Sequence, residues 1–358
     1  MITQMSPSRQ ACKPFESAGG AKIFQMPLEA FPGFWVHAYL VWVDDYRVLI
    51  DVGSNFPLSN QGLEKHLASI SASLDQPLGL ADLTHIFITH GHIDHFGGLA
   101  YVRPRTEALV GIHELDRRNL TNYEERLVVV AQRLTVFLLE CGLTTQQVEA
   151  MKEMYMFSKA LYSSETVDFT YEAKGMHIGP FEFLHVPGHS AGMVCIKIHD
   201  ILFSADHVLD SISPHQAPES LTLHTGLAHY LASLQNCRRW AKDARLTLGG
   251  HKRPIKDLGG RIDEILCDHQ DRLAQVIELL RDPHTVAEVS RDLFGEAKGY
   301  HALLALEEAG AHIEYLYQRG YLSISNLNAY RQSNFPIPIQ YRCLDTEIDV
   351  DKLMTLQE

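Results

Sequence analysis

The chain has 358 residues, of which 46% are hydrophobic and 21% charged, and its formal net charge is −13. This balance excludes a largely disordered protein. The acidity disfavours a nucleic-acid partner, because that affinity rests on cationic contacts to phosphate. The length exceeds one average domain and predicts a core domain with an appendage. Six cysteines are scattered at positions 12, 141, 195, 237, 267 and 343 with no CxxC pair, a pattern of reduced thiols rather than a disulfide framework. Met1 to Ser17 has no apolar signal core, and no apolar run approaches the roughly 20 residues that span a bilayer. A cytoplasmic protein without a membrane partner is expected.

Residues 1–20 are polar, with Gly and Pro, and read as a flexible arm. A main domain is expected over 21–262. From Lys22 to Ile50 the chain is rich in aromatic and β-branched residues, interrupted by Asp44-Asp45, and predicts antiparallel strands around a tight turn. Gly62 to Leu74 is a short helix candidate. Ile86-Phe87-Ile88 reads as a buried strand, and a helix follows Gly98. Ala108 to Gly111 is another strand. Residues 114–170 break this rhythm with a long helix-favouring stretch rich in Leu, Met and Tyr. Strands return over 175–206. Leu221 to Arg239 predicts a helix or two, ahead of Leu246-Thr247-Leu248.

A second unit is expected over 263–330. Asp263 to Leu280 has helical periodicity, and Thr285 to Glu288 forms a capping box that opens another helix. Tyr300 to Arg319 predicts a long amphipathic helix closed by Gly320, and Tyr321 to Ile324 starts a small hairpin. Helices followed by a wing-like strand pair resemble a winged-helix domain. Arg281 to Asn328 carries four basic and seven acidic residues, a net −3, whereas a DNA reader shows a basic face. A structural or dimerisation role is therefore expected, with a homodimer as the assembly. Residues 331–358 read as a polar tail.

The chemistry lies in Thr89 to Gly97, where His90, His92, Asp94 and His95 occupy six positions directly after the buried strand. A lone His is usually a surface or hydrogen-bonded core residue. Neutral imidazoles crowded beside a carboxylate make a divalent-metal site. His90 and His92 lie two apart and face the same way on an extended backbone, while Asp94 and His95 fall where the chain turns into a helix. Ligands facing in two directions suggest two metals. Further candidates follow in order: His189 in Val186 to Gly192, Asp206 at the end of Ile201 to Ala205, and His251 after Leu248-Gly249-Gly250.

With this ordered series the chain resembles the metallo-β-lactamase superfamily, the αββα metallohydrolases, over about residues 20–260. Val48 to Gly53 matches the family's strand that ends beside the metals. The resemblance implies an α/β fold, an αββα sandwich carrying the C-terminal helical unit. It implies one metal on His90, His92 and His189, a second on Asp94, His95 and His251, and Asp206 bridging them. The metals would be zinc, with iron or manganese able to occupy the same ligands. Asp206 stands where the zinc β-lactamases carry Cys, so the chain is more similar to glyoxalase II, lactonases and thioesterases. Ala205 to Leu209 followed by Ile212 to His215, with the C-terminal unit, resembles the branch related to the human β-lactamase-like protein 2. The residues at 114–170 either roof the site, as insertions in this superfamily commonly do, or add core-packing helices.

The implied reaction is hydrolysis of a thioester, ester or lactone of a small acyl substrate by a metal-bridging hydroxide, oriented by Asp94. Asp51 is the best candidate for holding a ligand imidazole. His85 and His207 are either further partners of the ligands or packed core residues. A phosphodiesterase or nuclease is the main alternative on the same centre, disfavoured by the acidic charge. A diiron redox enzyme would show an altered HxH pair or a flavodoxin-like appendage. A vestigial site would not retain the complete ligand series.

Overall fold

The computed structural model describes residues 11–344. Two sheets lie at its centre. The first runs in chain order through β1 (Lys13–Glu16), β2 (Lys22–Phe31), β3 (Phe34–Val43), β4 (Tyr46–Ile50), β5 (His85–Phe87), β6 (Leu109–Ile112) and β7 (Phe169–Thr170). β1 to β4 pair antiparallel, and β4 to β7 pair parallel. The second sheet is ordered β12 (Leu246–Gly249), β11 (Ile201–Ala205), β10 (Val194–Ile198), β9 (Phe181–His185), β8 (His177–Ile178). Only β11 and β12 are parallel in it.

Strand β3 shows why the sheets stack. Tyr39, Val41 and Val43 enter the core between the sheets with Phe181, Ile196 and Phe203. Val36, Ala38 and Leu40, on the opposite side of the pleat, enter a separate core beneath the helices. A strand buried on both faces must be apolar at nearly every position, as this one is. The helix α1 (Pro57–Leu74) covers the outer face of the first sheet with Leu63, Leu67 and Ile70 at helical spacing. Each such side chain stabilises by roughly 1.5–3 kcal/mol on burial. Two short helices, α2 (Ile93–Phe96) and α3 (Leu99–Val102), complete that layer. The result is the expected αββα sandwich.

The 114–170 segment contains α4 (Glu114–Thr121), α5 (Tyr123–Glu140) and α6 (Thr145–Lys159). The second sheet is covered by α7 (Leu227–Trp240) and α8 (Leu258–Leu279). The C-terminal part adds α9 (Val286–Phe294) and α10 (Tyr300–Gln318). A two-stranded ribbon follows, β13 (Leu322–Ile324) with β14 (Tyr341–Cys343), and α11 (Leu327–Gln332) lies between its strands. The Thr285–Glu288 capping box forms as read, with Glu288 N–H donating to Thr285 Oγ1 at 3.3 Å.

Several expected boundaries move. Residues 13–16 of the expected arm are β1, because they pair with β2. Helix α7 begins at Leu227 rather than Leu221, since Gly226 has φ +95° and cannot continue a helix. The expected division at 262/263 falls inside the unbroken helix α8. Leu273, Leu303 and Ile313 of the C-terminal helices share one cluster with Leu134 of α5, Val148 of α6 and Met193 before β10. The expected tail supplies β14, and Ile339 is buried. Residues 1–10 of the arm and 345–358 of the tail lie outside the described residues. Among the described residues no helix is long and apolar enough to cross a membrane.

Gly310 of α10 marks the junction between insertion, loop and C-terminal helices. A Cβ there would stand 3.0 Å from both Phe137 of α5 and Pro218. Gly310→Val is expected to lower unfolding stability by about 1–3 kcal/mol, the range for overpacking a filled core, measured as a lower urea midpoint at unchanged m-value.

Candidate metal centre

The site forms at the carboxyl ends of parallel strands, where open α/β sheets place their ligands. Asp51 directly follows β4, Thr89 and His90 follow β5, Asp206 directly follows β11, and His251 comes just after β12. His189 reaches the same point from the loop between β9 and β10. Asp51 and Ala205 have φ of +57° and +47°, so the backbone turns sharply as each strand delivers its carboxylate. Gly250 leaves no room for a side chain, because a Cβ there would collide with the Asp206 carboxylate.

The seven candidate ligands converge. His90 Nε2 lies 3.0 Å from His92 Nδ1, and with His189 these form one group whose ligand atoms lie within 4.8 Å of one another. Asp94, His95 and His251 form a second such group. Asp94 Oδ2 is 3.5 Å from both His95 Nε2 and His251 Nε2. Asp206 Oδ2 stands between the groups, 3.1 Å from His251 Nε2, 3.5 Å from His95 Nε2 and 3.8 Å from His189 Nε2.

The donor set fits divalent metal. Among the described residues, His95 Nε2, His189 Nε2 and Asp206 Oδ1 are buried without a hydrogen-bond partner, an arrangement that is unfavourable unless something else satisfies them. Four rings are turned so that Nδ1 faces outward to an acceptor. His95 Nδ1 donates to Asp51 Oδ2 at 2.7 Å, His189 Nδ1 to the His215 carbonyl at 2.8 Å, and His251 Nδ1 to the Trp35 carbonyl at 2.7 Å. His90 Nδ1 meets Thr89 Oγ1 at 3.0 Å. This is the outer support that ligand histidines use to fix tautomer and ring orientation.

Burial and neighbouring imidazoles push His90 and His92 well below the usual histidine range, keeping their lone pairs free. For His251, burial opposes the charged form, but Asp206 and Asp94 outweigh it and raise the ring to about 10. Burial likewise works against the Asp206 carboxylate, yet His251 and His95 hold it well below the usual carboxylate range. Both carboxylates of the set are therefore ionised among imidazoles, and divalent ions suit that charge pattern.

Of the expected supporting residues, Asp51 is in place. It accepts Thr89 N–H at 2.8 Å and Thr89 O–H at 2.8 Å as well as the His95 ring. His85 is not: it opens β5, five residues before His90, and its ring packs on Tyr46, Phe87 and Phe169. His207 also supports no ligand. Among the described residues it makes no hydrogen bond to a candidate ligand; its ring packs edge-on to Tyr230, and burial lowers it to about 3.

Sequence reading missed Asp116. This fully buried carboxylate accepts Gly91 N–H at 2.7 Å, Ser190 O–H at 2.9 Å and Gly192 N–H at 3.0 Å. It thereby ties the turn between His90 and His92 to the turn carrying His189. Its only signal was an acidic residue in the first turn of a helix after a strand, which is common at any helix start. His215 also supports the centre. Its carbonyl holds His189, and its ring reaches Glu307 Oε2 of α10 at 2.9 Å and Glu308 Oε2 at 3.5 Å.

Asp116→Ala is expected to strand the Gly91 and Gly192 amides at about 1–3 kcal/mol each and to reduce retained metal, checked by urea unfolding and elemental analysis of one preparation. Asp51→Asn is expected to preserve the fold while weakening metal affinity about 10–100-fold, measured by competition with a chromogenic chelator.

The family profile described as the metallo-beta-lactamase superfamily matches residues 33–251, from the start of β3 to the last candidate ligand. No curated protein matches the chain by sequence. Among solved structures, a metallo-beta-lactamase family protein from Thermus thermophilus is similar at 24% identity and TM-score 0.70, over 90% of this chain and 98% of that one. A beta-lactamase domain protein from Burkholderia ambifaria is similar at 20% identity and TM-score 0.71, over 96% of this chain and 97% of that one. Both likenesses run past residue 251 into the C-terminal helices, because residues 1–251 are only about 70% of the chain. With the family profile covering more than half its length, this chain belongs to the metallo-beta-lactamase superfamily.

Proposed function

We propose that the protein is a binuclear metal-dependent hydrolase that cleaves a thioester, ester or lactone of a small acyl substrate. The observation that carries the binuclear reading is the position of Asp206 Oδ2, within 3.1–3.8 Å of nitrogens from both ligand groups. A carboxylate so placed can join two ions through one group.

In this reading His90, His92 and His189 hold one ion, and Asp94, His95 and His251 hold the other. Bound divalent ions supply acidification of water near neutral pH and polarisation of a carbonyl oxygen. Zinc is the reading the imidazole-rich set favours, with iron or manganese on the same ligands. The chain's own groups do the positioning. Asp94 Oδ2 lies between His95 and His251 and stays ionised, since those imidazoles outweigh the effect of burial. It can accept a hydrogen bond from a water O–H and so orient that water. Asp51 and Asp116 fix the backbone turns that aim the rings.

The apolar side of the site supports an acyl substrate. Phe34 is 46% exposed, and its ring centroid lies 5.1 Å from that of His251. Phe31 and Phe56 continue this aromatic wall at 6.0 and 5.3 Å spacings. An exposed ring beside a ligand histidine favours a partly apolar, small-molecule substrate. The C-terminal unit acts here as a support for the centre: α10 turns Glu307 and Glu308 towards His215, and most of its remaining inner face is buried. That disposition supports a structural role over nucleic-acid reading.

His92→Ala and Asp206→Ala are each expected to lose bound metal and to lower turnover at least about 100-fold. Thiol release from a panel of acyl-CoA and glutathione thioesters, with zinc-, manganese- and iron-reconstituted protein, is the test. Full activity in either variant would overturn the reading. Release absent with every metal would overturn the thioester assignment.

A further inference from the structure

Two further groups of His and Glu bring ligand atoms within 4.8 Å of one another. The buried one, His269, Glu308 and His312, is already organised without an ion. Arg272 Nη1 donates to Glu308 Oε1 at 2.7 Å, and Gln216 N–H donates to Glu308 Oε2 at 2.8 Å. His312 Nδ1 donates to the Glu308 carbonyl at 2.7 Å, and the two rings meet through His269 Nδ1 and His312 Nε2 at 3.1 Å. A metal there would have to displace an arginine.

The other group is different. We propose that Glu219, His224 and His229 form an additional divalent-metal site at the protein surface, separate from the binuclear centre. It would take a borderline ion such as zinc, nickel or copper, because two imidazoles with one carboxylate favour these over magnesium or calcium. Water would complete the shell, since His224 is exposed.

The local chain brings the three groups together. The Thr222–Thr225 turn, closed by Thr225 O–H to the Thr222 carbonyl at 2.6 Å, folds the segment back. His224 adopts φ +65°, a region in which His is among the better tolerated side chains. Glu219 Oε1 accepts His224 N–H at 3.2 Å and lies 3.2 Å from His229 Nε2 on the first turn of α7. Around one ion with bonds of about 2.0–2.2 Å, ligand atoms stand about 3–4 Å apart, so closure requires only small side-chain adjustments. Among the described residues, no Lys or Arg forms an ion pair with Glu219. A second carboxylate, Glu314 of α10, accepts Glu219 N–H at 2.6 Å and Ser220 N–H at 3.1 Å. The loop is thus anchored, and its local charge favours a dication.

The position has a consequence for the centre. Gly226, within the same loop, donates its N–H to the Gly188 carbonyl at 3.0 Å, and Gly188 immediately precedes His189. An ion joining Glu219, His224 and His229 would clamp the loop that braces the His189 turn.

The test is metal counting on the full-length protein, stripped with chelator, saturated with zinc and freed of excess by gel filtration. Wild type is expected to hold one zinc more than His224→Asn/His229→Gln, a pair chosen to keep a left-handed residue at 224. His229→Gln alone is expected to lose the same equivalent, and adding His229→Gln to His92→Ala is expected to remove one zinc beyond the loss in His92→Ala alone, which separates this site from the binuclear centre. Equal zinc in wild type and both surface variants would overturn the proposal. Diethyl pyrocarbonate mapping of wild type gives an answer that needs no variant: zinc is expected to protect His224 and His229 from acylation, and unchanged labelling of both would overturn it.

Discussion

The structure depends on holding several imidazoles and two ionised carboxylates at one buried point with their lone pairs aimed inward. Left alone, such groups would rotate outward to water or pair with one another. Rotation of His95, His189 and His251 is opposed by outward hydrogen bonds at Nδ1, made to Asp51 and to the Trp35 and His215 carbonyls. Each acceptor belongs to a different part of the chain. The ligand geometry is therefore a property of the whole sandwich rather than of the HxHxDH segment.

Two carboxylates outside the ligand set organise this frame. Asp51 binds the start of the motif through Thr89 and its end through His95, so one side chain spans the turn. Asp116 binds the Gly91 amide within the motif and the Ser190–Gly192 turn beyond it. Gly192 and Gly250 sit where these contacts are tightest, and a side chain at either would collide with Asp116 or Asp206. Glycine is required at both by close approach.

The C-terminal helices enter the same logic. Glu307 and Glu308 hold the His215 ring, whose cationic form is favoured to about 9 once those carboxylates outweigh burial. The His215 carbonyl in turn holds His189. The appendage is thus joined to the centre by a continuous chain of polar contacts as well as by the shared apolar cluster of α5, α6, α8 and α10. The insertion packs into that core through Leu134 and Leu138 of α5 and Val148 of α6. Of the two roles expected for it, the shared cluster carries core packing.

The sequence by itself determined the sandwich strands, the order of the candidate ligands and Asp51, because each is written in local pattern. Apolar strands end in a turn, and the chemistry-bearing residue stands at that end. The capping box of α9 and the extent of α10 were legible for the same reason. Only the tertiary structure decided the rest. Asp116 became a brace because its partners lie 25 and 74–76 residues away, and no local pattern encodes such pairing. His85 stands apart from the site because it opens β5 at the amino end, while the site forms at the carboxyl ends of the strands. Position 262/263 lies inside α8, and burial, which is non-directional, gathers apolar residues from both sides of it into one cluster. Local periodicity specifies which element forms; long-range contact decides which of its residues meet.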